Sequence, residues 1–351
     1  MNRRDFAGTI GFGALGLLTG GVGTAAAAAP DEIGDLSFVH PELREFARQE
    51  LKTSATYKLT PALIQTVRAM PKTSRIPVRP DIPVVEKRVP VGGGAPDVLV
   101  YVVNAKPGTQ RAAILHTHGG GFILGSAKES IGDMQVYAAE LDCVVVTVEY
   151  RLAPETHYSG SIEDNYAALK WFYNNATELG VNQSRIAVMG ESAGGGHAAL
   201  LALRARDRGE VPVLFQMLVY PMLDDRTGSS RAVARNIGTI VWDAQANRLG
   251  WESFLGQRPG TRNVPVAAVP ARVGSLAGLP PTFIGVGGID LFVDEDIDYA
   301  RRLTDAGVPT ELLVVPGAFH GFDVMGGQTP IAKHFIAAKM DALRRAFAGE
   351  G

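Results

Sequence analysis

The chain has 351 residues, 46% hydrophobic and 20% charged, with a formal net charge of −2. That balance belongs to a folded globular protein with a large core and leaves no basic footprint for nucleic acid. The single cysteine, Cys143, rules out an intramolecular disulfide and a cysteine-built metal cluster; it opens the apolar run CVVVTVEY and is read as buried.

Residues 1–29 stand apart from the rest. MNRRDFAG carries the pair Arg3–Arg4, a glycine-diluted apolar run TIGFGALGLLTGGVG follows, and TAAAAAP closes the segment. A basic start, an apolar stretch and small residues at a cleavage site make a secretory signal, and the paired arginines resemble a twin-arginine export signal. The alternative is a retained membrane anchor, but the apolar stretch is short and ends in an Ala-x-Ala site. The expectation is an exported protein, periplasmic or secreted, with no stable membrane insertion after cleavage.

The remainder, 30–351, is expected to be one catalytic domain. Two amphipathic helices come first. HPELREFARQEL places Leu43, Phe46, Ala47 and Leu51 on one face, and TPALIQTVRAM has Thr60 as cap, Pro61 after it and Leu63, Ile64, Val67 and Met70 on a stripe. From about residue 82 the pattern changes. PVVEKRVPV and DVLVYVVNA, split by GGGAP, read as a hairpin; RAAILHTH, CVVVTVEY, RIAVMGES, LFQMLVYPM, PPTFIGVGGI and TELLVVPGA follow as strands. The later runs are almost continuously apolar, as in parallel strands covered on both faces. Helical segments near 130–141, 161–179, 193–208, 295–306 and 328–348 separate most of them, giving a doubly wound α/β sheet.

Between LVYPM and LPPTFIG lie about sixty residues with no strand, too many for a plain connection. They are expected to form a helical insertion at the carboxyl edge of the sheet, where open α/β sheets bind ligands. With the N-terminal helices it would make a cap, drawn from about 30–75 and 223–278.

Ser192 lies in GESAGGGH, at the junction of the strand RIAVMG and the helix AGGGHAALLALRARD. G-x-S-x-G alone is a weak signal, but a strand–turn–helix context is what a nucleophile elbow requires. A serine needs a base, and the base needs an orienting acid. Of the seven histidines only His320 and His334 follow the insertion; His320 lies directly after the last strand and His334 within the terminal helix. His320 is therefore the base. Asp290 comes immediately after the penultimate strand and is the favoured acid, with Asp294 as the alternative at the start of the next helix. The run HTHGGGF supplies backbone donors for an oxyanion hole: Gly119, Gly120 and, from the helix start, Ala193. His118 is expected to orient that loop, His116 to be a satisfied core residue, and His197 to have no catalytic part. Phe122, Trp242 and Trp251 are candidate substrate contacts; Phe38, Trp242, Trp251 and Phe254 suggest an apolar entrance, or equally the packing of a cap.

HGGGF at 118–122, EYRLAPE at 149–155, GESAGG at 190–195, LPPTFIGVGGIDLFVDED at 279–296 and PGAFHGF at 316–322 resemble the hormone-sensitive-lipase-like group of α/β-hydrolases. The resemblance runs from about Phe38 to the C-terminus. It implies an eight-stranded, mostly parallel sheet flanked by helices, a helical cap, and carboxylesterase activity on short-chain esters without metal or cofactor. Carried over by motif, it assigns Ser192, Asp290 and His320 as the triad and Gly119, Gly120 and Ala193 as the oxyanion hole. Two departures stand out: Glu191 precedes the serine where many relatives have Asp, and THYSGSIED replaces the usual proline-rich continuation after RLAPE. The function expected is serine carboxylester hydrolysis of short-to-medium acyl esters, with a homodimer as the candidate assembly. The alternatives are a lactone, carbamate or amide hydrolase with the same triad, or a non-catalytic ligand-binding relative.

Overall fold

The computed structural model describes residues 34–56 and 58–349, so the expected leader at 1–29 lies outside the described residues. Helices α1 (Arg44–Thr56) and α2 (Pro61–Ala69) precede the sheet. The strands are β1 (Val84–Val89), β2 (Val98–Val103), β3 (Arg111–Thr117), β4 (Val144–Glu149), β5 (Val181–Glu191), β6 (Phe215–Val219), β7 (Thr282–Gly287) and β8 (Thr310–Val315). Between and after them run α3 (Ile131–Glu140), α4 (Tyr158–Asn174), α5 (Ala176–Leu179), α6 (Ala193–Arg208), α7 (Ala244–Leu255), α8 (Val293–Asp305), α9 (Phe322–Met325) and α10 (Pro330–Ala348). Spatial order is β1-β2-β4-β3-β5-β6-β7-β8; β2 is antiparallel to both neighbours and every later pairing is parallel. This is an α/β-hydrolase fold, as the strand pattern and the motifs led one to expect.

Alternation along the buried strands divides the core between the two faces of the sheet. Val144, Val146 and Val148 of β4 join Leu115, Val188 and Leu218 on one face, whereas Val145 joins Ile114, Met189 and Met217 on the other. Cys143 is buried on the second face, and that burial raises its thiol to about 12, so it is inert packing.

The N-terminal segment straddles the carboxyl edge of the sheet. Val39, Leu43 and Ala47 pack into the second face with Phe319, Phe322 and Phe335, and the His40 N–H donates to Gly317 O at 2.9 Å. That contact ties the segment to the loop carrying His320. Farther on, α2 buries Ile64 and Val67, and Arg68 donates to Ile123 O at 2.8 Å and to Glu155 at 2.7 Å. So α1 and its lead-in brace one side of the site and α2 the other.

The insertion is less helical than its length suggested. It holds α7 and two short 3₁₀ turns, Val266–Ala268 and Pro270–Arg272, with irregular chain elsewhere. Side chains there replace the helical ladder. Arg272 forms a two-pronged pair with the buried Asp225 at 2.6 and 2.9 Å, and Arg226 and Arg231 both reach Asp224. Glu295 accepts from the Leu223 and Asp224 N–H groups at 2.6 and 3.0 Å. With backbone groups satisfied this way, an irregular path can stay packed.

Candidate active site

Ser192 joins β5 to α6 with φ 57° and ψ −123°, a left-handed conformation costly for a non-glycine residue. Its surroundings hold it there. The Ser192 N–H donates to Val219 O at 2.9 Å, and its carbonyl accepts from the Gly196 and Met222 N–H groups at 3.0 and 2.9 Å. Two flanking residues must be glycine for this turn to close: a β-carbon on Gly190 would strike the Gly194 carbonyl, and one on Gly194 would strike the carbonyls of Thr117 and His118.

The side chain meets an imidazole. His320 Nε2 lies 3.0 Å from Ser192 Oγ, and its Nδ1 lies 2.8 Å from Asp290 Oδ2. A carboxylate only accepts, so the imidazole proton sits on Nδ1 and the Nε2 lone pair faces the serine hydroxyl. Asp290 is fully buried and its other oxygen accepts from the Phe292 N–H at 3.0 Å, which fixes the carboxylate plane. The rival positions fall elsewhere: Asp294 and His334 are both exposed, the first in the opening turn of α8 and the second on α10. The His320 ring is gripped edge-on by Tyr220 and Phe292, at centroid distances of 4.7 and 5.2 Å.

The glycine loop lies alongside the serine. A β-carbon on Gly119 would come 3.5 Å from Ser192 Cβ, which sets the loop beside the serine. Among the described residues no backbone carbonyl accepts from the Gly119 or Gly120 N–H, and the Ala193 N–H, in the first turn of α6, has no partner four residues back. His118 Nδ1 donates to Gly119 O at 2.9 Å, its ring stacks on Tyr150 at 4.2 Å, and Tyr150 Oη donates to His118 O at 2.7 Å. Burial pushes His118 down to about 3, so it is a neutral brace.

His116 is satisfied in the core: Nδ1 pairs with Thr147 Oγ1 at 2.8 Å and Nε2 with Glu191 Oε2 at 2.9 Å. Burial works to raise Glu191, but His116, Arg75 and Lys339 outweigh it and hold the carboxyl at about 2. The residue next to Ser192 is thus a partly buried anion tied to β3. Behind His320, Tyr220 Oη donates to Asp323 Oδ1 at 2.9 Å, and Lys339 Nζ donates to Asp323 Oδ2 at 2.5 Å. No local pattern in the sequence announces this buried group; its members are supplied by β6, α9 and α10.

Of the candidate substrate contacts, Phe122 and Trp251 turn into packing. They are 1% and 0% exposed, and Phe122 stacks on Phe254 at 4.0 Å with Trp251 and His197 at its edges. Phe38 packs against the second face of the sheet. Trp242 behaves differently: its indole lies against Gly121 of the glycine loop. Among the described residues there is no cluster of side chains suited to a metal ion, and no helix is long and apolar enough to cross a membrane.

Known proteins resemble this chain in sequence and fold. The family described as alpha/beta hydrolase fold matches residues 114–324. The chain is similar to esterase LipI of Mycobacterium tuberculosis, 36% identical over 285 residues that cover 81% of this chain and 87% of LipI. It is also similar to carboxylesterase NlhH of the same species, 37% identical over 237 residues, or 66% of this chain and 73% of NlhH. Among solved structures, bacterial heroin esterase superimposes with a TM-score of 0.75 at 36% identity, covering 88% of this chain and 98% of that one.

Proposed function

We infer the reaction from one premise: the chain belongs to the hormone-sensitive-lipase-like esterases of the α/β-hydrolase fold and is a carboxylic ester hydrolase. Our reading is that it hydrolyses short-to-medium acyl esters through an acyl-enzyme on Ser192. The observation that carries it is the continuous hydrogen-bonded line from Ser192 Oγ through His320 to Asp290, at 3.0 and 2.8 Å. His320 Nε2 takes the hydroxyl proton as Oγ attacks the ester carbonyl, and Asp290 supports the imidazolium that forms. The N–H groups of Gly119, Gly120 and Ala193 receive the oxyanion; each such donor contributes on the order of 10²–10³ in turnover. The imidazolium then protonates the departing alkoxide, and water, activated by the same nitrogen, releases the acid.

The test is a p-nitrophenyl ester series from acetate to palmitate with the wild type beside Ser192→Ala. Hydrolysis in the wild type that vanishes in a folded Ser192→Ala supports the reading. Activity that survives the substitution overturns it.

A further inference from the structure

Five residues of the insertion, 238–242, form a strap that spans the two halves of the site. At one end the Gly238 N–H donates to Ile289 O at 3.0 Å, and a β-carbon on Gly238 would lie 2.8 Å from Leu291 Cβ, so this end rests on the residues flanking Asp290. At the other end the outer ring of Trp242 covers Gly121 so closely that a β-carbon there would overlap Cη2. A segment anchored beside the acid and on the glycine loop has to cross the groove between them.

The strap is built to hold the indole still. The Trp242 N–H donates to Ile240 O at 2.9 Å across Val241, whose φ is 70°. That is a γ-turn with a β-branched residue at its centre, a strained conformation that persists only where the surroundings impose it. The next residue, Asp243, caps α7 through the Ala246 N–H at 2.7 Å. The indole Nε1–H donates to Asn247 Oδ1 at 3.2 Å, and the fully buried Asn247 donates in turn to Thr227 O at 2.8 Å. Trp242 keeps 9% exposure, comparable to Ser192 at 8% and His320 at 6%.

Bond directions at the reacting carbon decide what the indole would meet. Around the tetrahedral centre stand Ser192 Oγ, the oxyanion held by the glycine loop, the leaving oxygen and the acyl carbon. The leaving oxygen has to lie near His320 Nε2 to receive its proton. The acyl chain is left with the side away from His320, and Trp242, which covers Gly121, is the aromatic side chain the strap sets against the glycine loop on which the oxyanion rests.

We propose that Trp242, fixed by this strap, is the wall that sets the upper limit of acyl length within the short-to-medium range. This rests on the Ser192 esterase reading and adds the residue that determines its acyl specificity. A rigid aromatic wall rejects extra methylenes sterically, whereas the alcohol portion, leaving on the His320 side, is not in its path.

The experiment compares kcat/KM for p-nitrophenyl acetate, butyrate, octanoate and decanoate in wild type, Trp242→Phe and Trp242→Ala, with Ser192→Ala as the activity control. Trp242→Phe removes the outer ring that covers Gly121 and leaves an apolar ring in place. The wild type is expected to fall at least about tenfold from butyrate to octanoate, and the octanoate-to-acetate ratio to rise at least about tenfold in Trp242→Phe and further in Trp242→Ala. A matching series of acetate esters from methyl to octyl alcohol should keep its wild-type ranking in both variants. An unchanged acyl ratio in folded Trp242→Phe, or a shift confined to the alcohol series, overturns the proposal. So does a wild type that accepts decanoate as readily as butyrate, a result that needs no variant to fold. Activity persisting in Ser192→Ala would instead refute the underlying esterase reading.

Discussion

Replacing Glu191 by Gln isolates one partly buried charge beside Ser192. The amide keeps the length of the side chain and an oxygen to accept from His116 Nε2, now 2.9 Å away, so what is lost is the negative charge. In the folded protein the carboxyl titrates at about 2 against an ordinary value of 4.5. A carboxyl whose folded value is depressed adds stability that is fully present above its unfolded value and is lost as pH falls toward the folded one. The whole contribution is about 3 kcal/mol. Linkage puts the part lost at about 0.8 kcal/mol by pH 4 and about 2 kcal/mol by pH 3. Other carboxyls with lowered values, Glu155 and Asp224 among them, also contribute stability that is lost as pH falls, so the quantity to measure is a difference of differences. Urea unfolding of wild type and Glu191→Gln at pH 7, 5, 4 and 3.5 supplies it. The stability gap between the two proteins should be about 2–3 kcal/mol at pH 7 and should narrow steadily below pH 4.5. Parallel curves down to pH 3.5 would show that Glu191 is not held as an anion by its neighbours, and the account of the elbow's brace would be wrong.

Asp290→Asn should lower kcat on p-nitrophenyl acetate by about 10⁴, because the amide can no longer hold the Nδ1–H tautomer, while Asp294→Asn stays within about twofold of wild type. Equal effects of the two substitutions would mean the acid has been misassigned. Lys339→Met strips the buried Asp323 of its cation and should cost about 3–5 kcal/mol in urea unfolding; adding Asp323→Asn should recover part of that loss. A stability change below 1 kcal/mol in the single variant would show that the buried pair is not the source of order behind His320.

The strand–turn–helix at Ser192, the place of His320 after the last strand and the glycine loop were legible in the sequence because each depends on local chain geometry. A serine between an apolar strand and an amphipathic helix, with glycine two residues to either side, specifies a turn that the backbone can make in few other ways. His320 followed from chain order, since it directly succeeds the last strand. The expected export signal also rests on a local pattern, and it falls outside the described residues. Asp290 and Asp294 are four residues apart, and only the turn after β7 decides that the first points at the imidazole while the second faces water.

The aromatic residues show the limit more sharply. Phe122, Trp242 and Trp251 are alike in composition terms, and what separates them is whether a ring is enclosed by other rings, as Phe122 and Trp251 are, or lies on the glycine loop, as Trp242 does. The partner that fixes Glu191 is 75 residues away in the chain, and Tyr220 is 103 residues from Asp323. Periodicity is a property of neighbours within a few residues, so it names the elements and the turns that start chemistry. Contacts across the sheet depend on which strands lie side by side, and only the folded chain decides that.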